Sequence, residues 1–150
     1  MTTIRHIGIV VRDMDISLAF YRDLLGLSDA PVNEETGHFI DGLLNMNGAR
    51  VLTAKLNGEN GETLLELLCF ETPIPTNSTP LTAIGPTHVA LTVPDLDILY
   101  ARITDAGYDF NAPPMVSPDG GAKVAFCRDP DGTYIELVEP LSPPPSKGHS

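Results

Sequence analysis

His6-Ile7-Gly8-Ile9-Val10-Val11-Arg12-Asp13-Met14-Asp15-Ile16 and His88-Val89-Ala90-Leu91-Thr92-Val93-Pro94-Asp95-Leu96-Asp97-Ile98 are one pattern written twice. Each copy opens on a histidine, runs through an apolar strand and turns on Asp-x-Asp into a helix. Each is followed later by a strand with a glutamate at its centre, Leu64-Leu65-Glu66-Leu67-Leu68 and then Tyr134-Ile135-Glu136-Leu137-Val138. The expected architecture is one supersecondary unit repeated in tandem. The four polar residues His6, Glu66, His88 and Glu136 suggest one metal site shared between the two copies.

Working outward, period-two alternation places Ile7, Ile9 and Val11 on one face of the first strand and His6, Gly8 and Val10 on the other. In the second copy Val89, Leu91 and Val93 oppose His88, Ala90 and Thr92. Asp13 or Asp15 is placed to cap the first helix, which is expected to bury Ile16, Ala19, Phe20 and Leu24 and to end at Gly26. The second helix, about residues 96–106, is expected to bury Leu99 and Ile103 and to stop at Gly107. Tyr21 and Tyr100 read as packing residues. Residues 49–56 and 62–70 read as a hairpin across Asn57-Gly58-Glu59-Asn60-Gly61, and residues 122–127 and 134–139 as a hairpin across Asp129-Pro130-Asp131-Gly132. Residues 27–37 read as a polar connection, 38–44 as a weak strand and 108–110 as a short strand. Pro113, Pro114 and Pro118 break the connection after it. A Pro-rich linker, about 72–84, separates a first module (about 3–71) from a second (about 85–140). The Pro-rich tail, 142–150, is expected to be disordered. The predicted fold is α+β: two βαβββ modules in tandem forming an open, half-barrel sheet around a central cleft, within a single domain of residues 1–141. The histidines lie opposite the apolar set beneath each helix, so the four polar residues are expected on the uncovered face.

Composition bounds the function. The net charge of −11 over 150 residues argues against a nucleic-acid partner, which needs a basic face, and against anionic membranes. No apolar run approaches the ~20 residues of a membrane span. The first residues lack the basic-then-apolar pattern of a signal peptide, so a cytoplasmic location is expected. Cys69 and Cys127 form no Cys-x-x-Cys pair and read as reduced, apolar-like thiols.

Taken singly, a strand histidine is usually structural and a strand glutamate usually solvated. Glu66, however, stands among Leu64, Leu65, Leu67 and Leu68, and Glu136 between Ile135 and Leu137. A carboxylate on an apolar strand costs several kcal/mol unless it is paired or bound to a cation. Two imidazoles and two carboxylates balance one divalent ion, with Zn, Ni, Co, Mn and Fe all compatible, and leave positions open for a substrate with two adjacent oxygens. Such an ion lowers the pKa of a C–H next to a carbonyl, and a carboxylate can take the proton. Arg22, Lys55 and Lys123 are candidates to meet an anionic substrate, although each is more ordinarily a solvated side chain.

The arrangement resembles the vicinal oxygen chelate superfamily, which includes glyoxalase I, methylmalonyl-CoA epimerases, extradiol dioxygenases and fosfomycin and bleomycin resistance proteins. The resemblance spans residues 4–140 and rests on His6-Ile7-Gly8-Ile9-Val10-Val11, Ala19-Phe20-Tyr21-Arg22-Asp23-Leu24-Leu25-Gly26-Leu27, His88-Val89-Ala90-Leu91-Thr92-Val93 and Arg128-Asp129-Pro130-Asp131-Gly132-Thr133-Tyr134-Ile135-Glu136-Leu137-Val138. It implies that His6, Glu66, His88 and Glu136 bind the metal, with Glu136 the favoured base and Glu66 second. It implies a lyase or isomerase acting through a metal-chelated enediolate or enolate, on a small molecule, in a homodimer. Three departures narrow the reaction. The first strand carries Ile9, Val10 and Val11 where glutathione-using glyoxalases carry arginine. Asn45-Met46-Asn47-Gly48-Ala49 holds no second base of the epimerase kind. Glu66 exceeds the two-His, one-Glu set of extradiol dioxygenases. An Fe(II) extradiol-type dioxygenase and a non-catalytic, drug-binding resistance protein are the alternative readings.

Overall fold

Parallel pairing of the first and last strands organises each half of the computed structural model, which describes residues 1–29, 31–75 and 79–142. The chain divides into two units, Met1–Thr76 and Asn77–Ser150. Part of the expected linker and the tail from residue 143 lie outside the described residues.

In the first unit, β1 (Ile7–Val10) is followed by α1 (Met14–Leu18), which runs on as a π-helical turn, Ala19–Leu24. Then come β2 (Ser28–Asp29), β3 (Asn33–Thr36), α2 (His38–Leu44), β4 (Arg50–Asn57) and β5 (Thr63–Phe70). The sheet order is β1-β5-β4, with β2 and β3 both antiparallel to β4. These two short strands occupy most of the span expected to be a polar connection. Together they serve as one edge strand, and Pro31, which has no N–H to give a ladder, stands in the gap between them. The second unit is βαβββ: β6 (His88–Thr92), α3 (Leu96–Asp105), β7 (Met115–Val116), β8 (Ala122–Arg128) and β9 (Tyr134–Pro140), in the order β6-β9-β8-β7. Strand β7 lies in the Pro-rich break, and Tyr108 to Phe110 contribute only a bridge from Phe110 to Cys127.

Both helices start alike. Asp13 accepts a hydrogen bond from Ile16 N and Asp95 one from Ile98 N, each at 3.0 Å. Asp15 is not the cap. Replacing Asp13 or Asp95 by alanine is expected to cost about 1 kcal/mol each in a denaturant titration. The helices differ inside. The span from Asp13 to Gly26 is one residue longer than that from Asp95 to Gly107, and the π turn absorbs the extra residue, with Leu25 N bonding Phe20 O at 3.0 Å. The consecutive residues Phe20 and Tyr21 are therefore both fully buried. This overturns the expected burial of Ile16, Ala19 and Leu24: the buried set is Met14, Ser17, Leu18, Phe20 and Tyr21, and Ile16 is 52% exposed. Met14, Ser17, Leu18 and Tyr21 recur at regular helical spacing on a different face from Ile16 and Ala19, and the π turn adds Phe20 to that buried face. In α3 the expected Leu99 and Ile103 are buried, together with Leu96.

Residues 38–44 are a helix, not a strand. Gly37 enters with φ +102° and Asn45 closes it in the left-handed region. The Asp41 carboxylate then accepts from Gly48 N and Ala49 N at 3.1 and 2.7 Å, turning the chain into β4. Ile40 packs with Ala49, Val51, Leu68 and Phe70. Val51 and Leu68 lie on the same sheet face as Glu66, because β4 and β5 pair Val51 with Phe70, Thr53 with Leu68 and Lys55 with Glu66. Helix α2 thus covers one end of that face and leaves the Lys55–Glu66 end open.

Candidate metal centre

Gly8 lies opposite Glu66 across the parallel β1–β5 pair. His6, two residues before Gly8, projects from the same face. In the second unit Ala90 lies opposite Glu136, and His88 stands two residues before Ala90. The register is the same, and the backbone closes both strand pairs at the same point, Val11 N to Leu68 O at 2.8 Å and Val93 N to Val138 O at 2.9 Å. The result is a matched pair of contacts: His6 Nε2 to Glu66 Oε2 at 3.2 Å, and His88 Nε2 to Glu136 Oε2 at 3.3 Å. The small residues Gly8 and Ala90 leave the histidines room to reach the carboxylates. A Cβ on Gly8 would already stand 3.2 Å from Leu68 Cδ1.

All four side chains remain reachable, at 30% and 15% exposed for His6 and Glu66 and 36% and 23% for His88 and Glu136. The carboxylates share their strands with fully buried neighbours of the opposite face, Leu65 and Leu67, and Ile135 and Leu137. One imidazole nitrogen and one carboxylate oxygen at this separation either share a proton or converge on a cation. Among the described residues no three His, Cys, Asp or Glu side chains cluster, so each unit by itself supplies a two-donor pair.

The surroundings of the two pairs differ. The His88 ring is held by Thr87, whose Oγ1 lies 2.9 Å from Nδ1, and by Phe126, edge-on at 5.2 Å. When Nδ1–H donates to the Thr87 hydroxyl, Nε2 presents its lone pair toward Glu136. Sequence reasoning passed over Thr87 and Phe126, although Thr87 adjoins a singled-out histidine. At the equivalent places the first unit has Arg5 before its histidine and Lys55 opposite its glutamate, as Phe126 is opposite Glu136.

The other candidates separate cleanly. Arg22 bonds Asp23 at 2.7 Å, and Lys123 bonds Asp97 at 2.7 Å with Glu139 3.8 Å away. Glu139 also accepts from Leu96 N, so Lys123 belongs to the start of α3. Lys55 makes no ion pair among the described residues. Cys69 and Cys127 are not joined in a disulfide, and burial pushes the Cys127 thiol up to about 12, which keeps it neutral and inert at neutral pH. The Asp129-Pro130-Asp131-Gly132 segment is a turn: buried Asp129 accepts from Asp131 N and Thr133 N.

The sequence family described as the Glyoxalase/Bleomycin resistance protein/Dioxygenase superfamily matches residues 3–137. The chain is 31% identical over 137 residues to the uncharacterized Escherichia coli protein YaeR, covering 91% of this chain and 95% of that one. It is 29% identical over 143 residues to a probable lactoylglutathione lyase of Synechocystis, covering 91% and 95%. A glyoxalase family protein from Bacillus cereus has the same fold, with a TM-score of 0.85 at 23% identity over 95% of this chain and 96% of that one.

Proposed function

Because this chain belongs to the Glyoxalase/Bleomycin resistance protein/Dioxygenase superfamily, we propose that it is a divalent-metal-dependent lyase or isomerase that removes a proton next to a carbonyl of a small molecule. The observation that carries this reading is the duplicated His–Glu contact, in one register, on the open face of each unit's sheet. His6 and His88 would bind the ion through Nε2, and Glu66 and Glu136 through their carboxylates. The donors fit such an ion in charge and type, since two neutral imidazoles and two carboxylates suit Zn²⁺, Ni²⁺, Co²⁺, Mn²⁺ or Fe²⁺. When bound, the ion supplies Lewis-acid charge to substrate oxygens. The protein's own part is to orient and to move the proton. Thr87 and Phe126 hold the His88 ring. Glu136 accepts the proton, with Glu66 the second candidate. The partial exposure of all four gives a substrate with adjacent oxygens access to them. The chain is proposed to act in the cytoplasm as a homodimer.

Elemental analysis of the chain, purified without a metal-affinity tag, tests the reading. About one divalent ion per chain is expected. No uptake after incubation with each of the five metals would leave a non-catalytic binding module as the better account. Oxygen consumption with a catechol would instead favour the Fe(II) dioxygenase.

A further inference from the structure

A pocket of about 240 Å³ opens beside the first pair, lined by Arg5, His6, Lys55, Glu62 and Thr63. Lys55 enters it because β4 places Lys55 directly opposite Glu66, on the same face. Arg5 lines it from the segment that leads into β1, ahead of the regular strand. Among the described residues neither cation has an ion-pair partner, in a chain whose net charge is −11. The one acidic side chain in the wall, Glu62, is turned toward the hairpin, where a Cβ on Gly58 would lie 2.7 Å from its Oε1. At the matching positions the second unit holds Thr87 and Phe126, both against His88. The donor pairs are duplicated, and the cations are not.

We propose that Arg5 and Lys55 form an oxyanion subsite beside His6, so that the substrate carries a carboxylate or phosphate a few atoms from the oxygens that meet the metal. This rests on the metal reading above for the second end of the substrate, but the subsite itself stands on Arg5 and Lys55. The arginine fork and the lysine ammonium supply several donors to one anionic group, and a partly enclosed position reduces their screening.

Three hydroxamates test it on the metal-loaded chain by calorimetry: acetohydroxamate, which is neutral beyond its chelating end, succinic monohydroxamate and phosphonoacetohydroxamate. One or both anionic probes should bind about tenfold or more tighter than acetohydroxamate, and the tighter of the two identifies carboxylate or phosphate. Lys55→Met and Arg5→Met should each reduce that preference, the double variant should abolish it, and Lys55→Arg should keep most of it, all with unchanged metal content. Equal binding of neutral and anionic probes to the wild type, or a preference that survives the double variant, overturns the proposal. If the chain takes up no metal and binds no hydroxamate, the metal reading fails separately. Succinate and inorganic phosphate are then titrated into the metal-free chain by NMR. Shifts at the Lys55 and Thr63 amides that vanish in the double variant uphold the subsite, and their absence overturns it.

Discussion

Replacing Glu136 with glutamine is expected to lower proton exchange at the carbon next to a substrate carbonyl by about 10²–10⁴-fold. Glutamine keeps the size and one acceptor oxygen but cannot take a proton. The measurement is deuterium incorporation into 2-oxo and acyl-thioester compounds, followed by NMR, beside metal content. Glu66→Gln is the control, because Glu66 has the same contact in the same register, with His6 at 3.2 Å rather than His88 at 3.3 Å. If Glu136 is the base, Glu136→Gln loses exchange while retaining more metal than Glu136→Ala, and Glu66→Gln loses less exchange. Reversed ranks would make Glu66 the base. Equal, small losses in both would remove proton abstraction by either carboxylate from the mechanism.

Leu67→Ala and Leu137→Ala each destabilise the protein by about 2–5 kcal/mol, read from the shift in a urea transition. Both leucines are fully buried, each one residue from a site glutamate and on the other face of its strand. Helix α1 packs on β5 and α3 on β8 and β9, so truncation leaves a cavity in a layer already closed. Glu66→Ala on the same strand removes a side chain only 15% exposed, yet its stability change should be small or favourable. It relieves a carboxylate held on an apolar strand, as functional sites commonly do at the expense of stability. A large destabilisation by Glu66→Ala, or a small one by Leu67→Ala, would show that the alternation assigns the faces wrongly.

These predictions depend on what can be read from one residue to the next. The repeat, the Asp-x-Asp helix starts, the glycine stops and the four polar positions are all legible. Each depends on local chemistry: period-two alternation, a side-chain cap, a positive φ. The π turn was not legible, because Ile16, Ala19, Phe20 and Leu24 also fit a regular helix, and only packing distinguishes that from the burial of Phe20 and Tyr21 together. The sequence of helix α2 suggests a strand because its apolar residues, Phe39, Ile40, Leu43 and Leu44, are too few to define a period. Its state follows from Gly37 and Asn45 at its ends and from the seat of Ile40 against Val51 and Phe70. Strands β2 and β3 are short and polar and β7 is only two residues long, so none declares itself, and they are strands because β4 and β8 offer them an edge.

The sequence by itself therefore determined the tandem architecture and the identity of the four polar residues, since both are written in spacings of a few residues. Tertiary structure decided which donors meet, His6 with Glu66 and His88 with Glu136, because parallel register joins residues far apart in the chain. It also decided which of three candidate cations faces the site. Arg22 and Lys123 are held by neighbouring carboxylates, while β4 sets Lys55 opposite Glu66, and cross-strand register cannot be counted along a single strand.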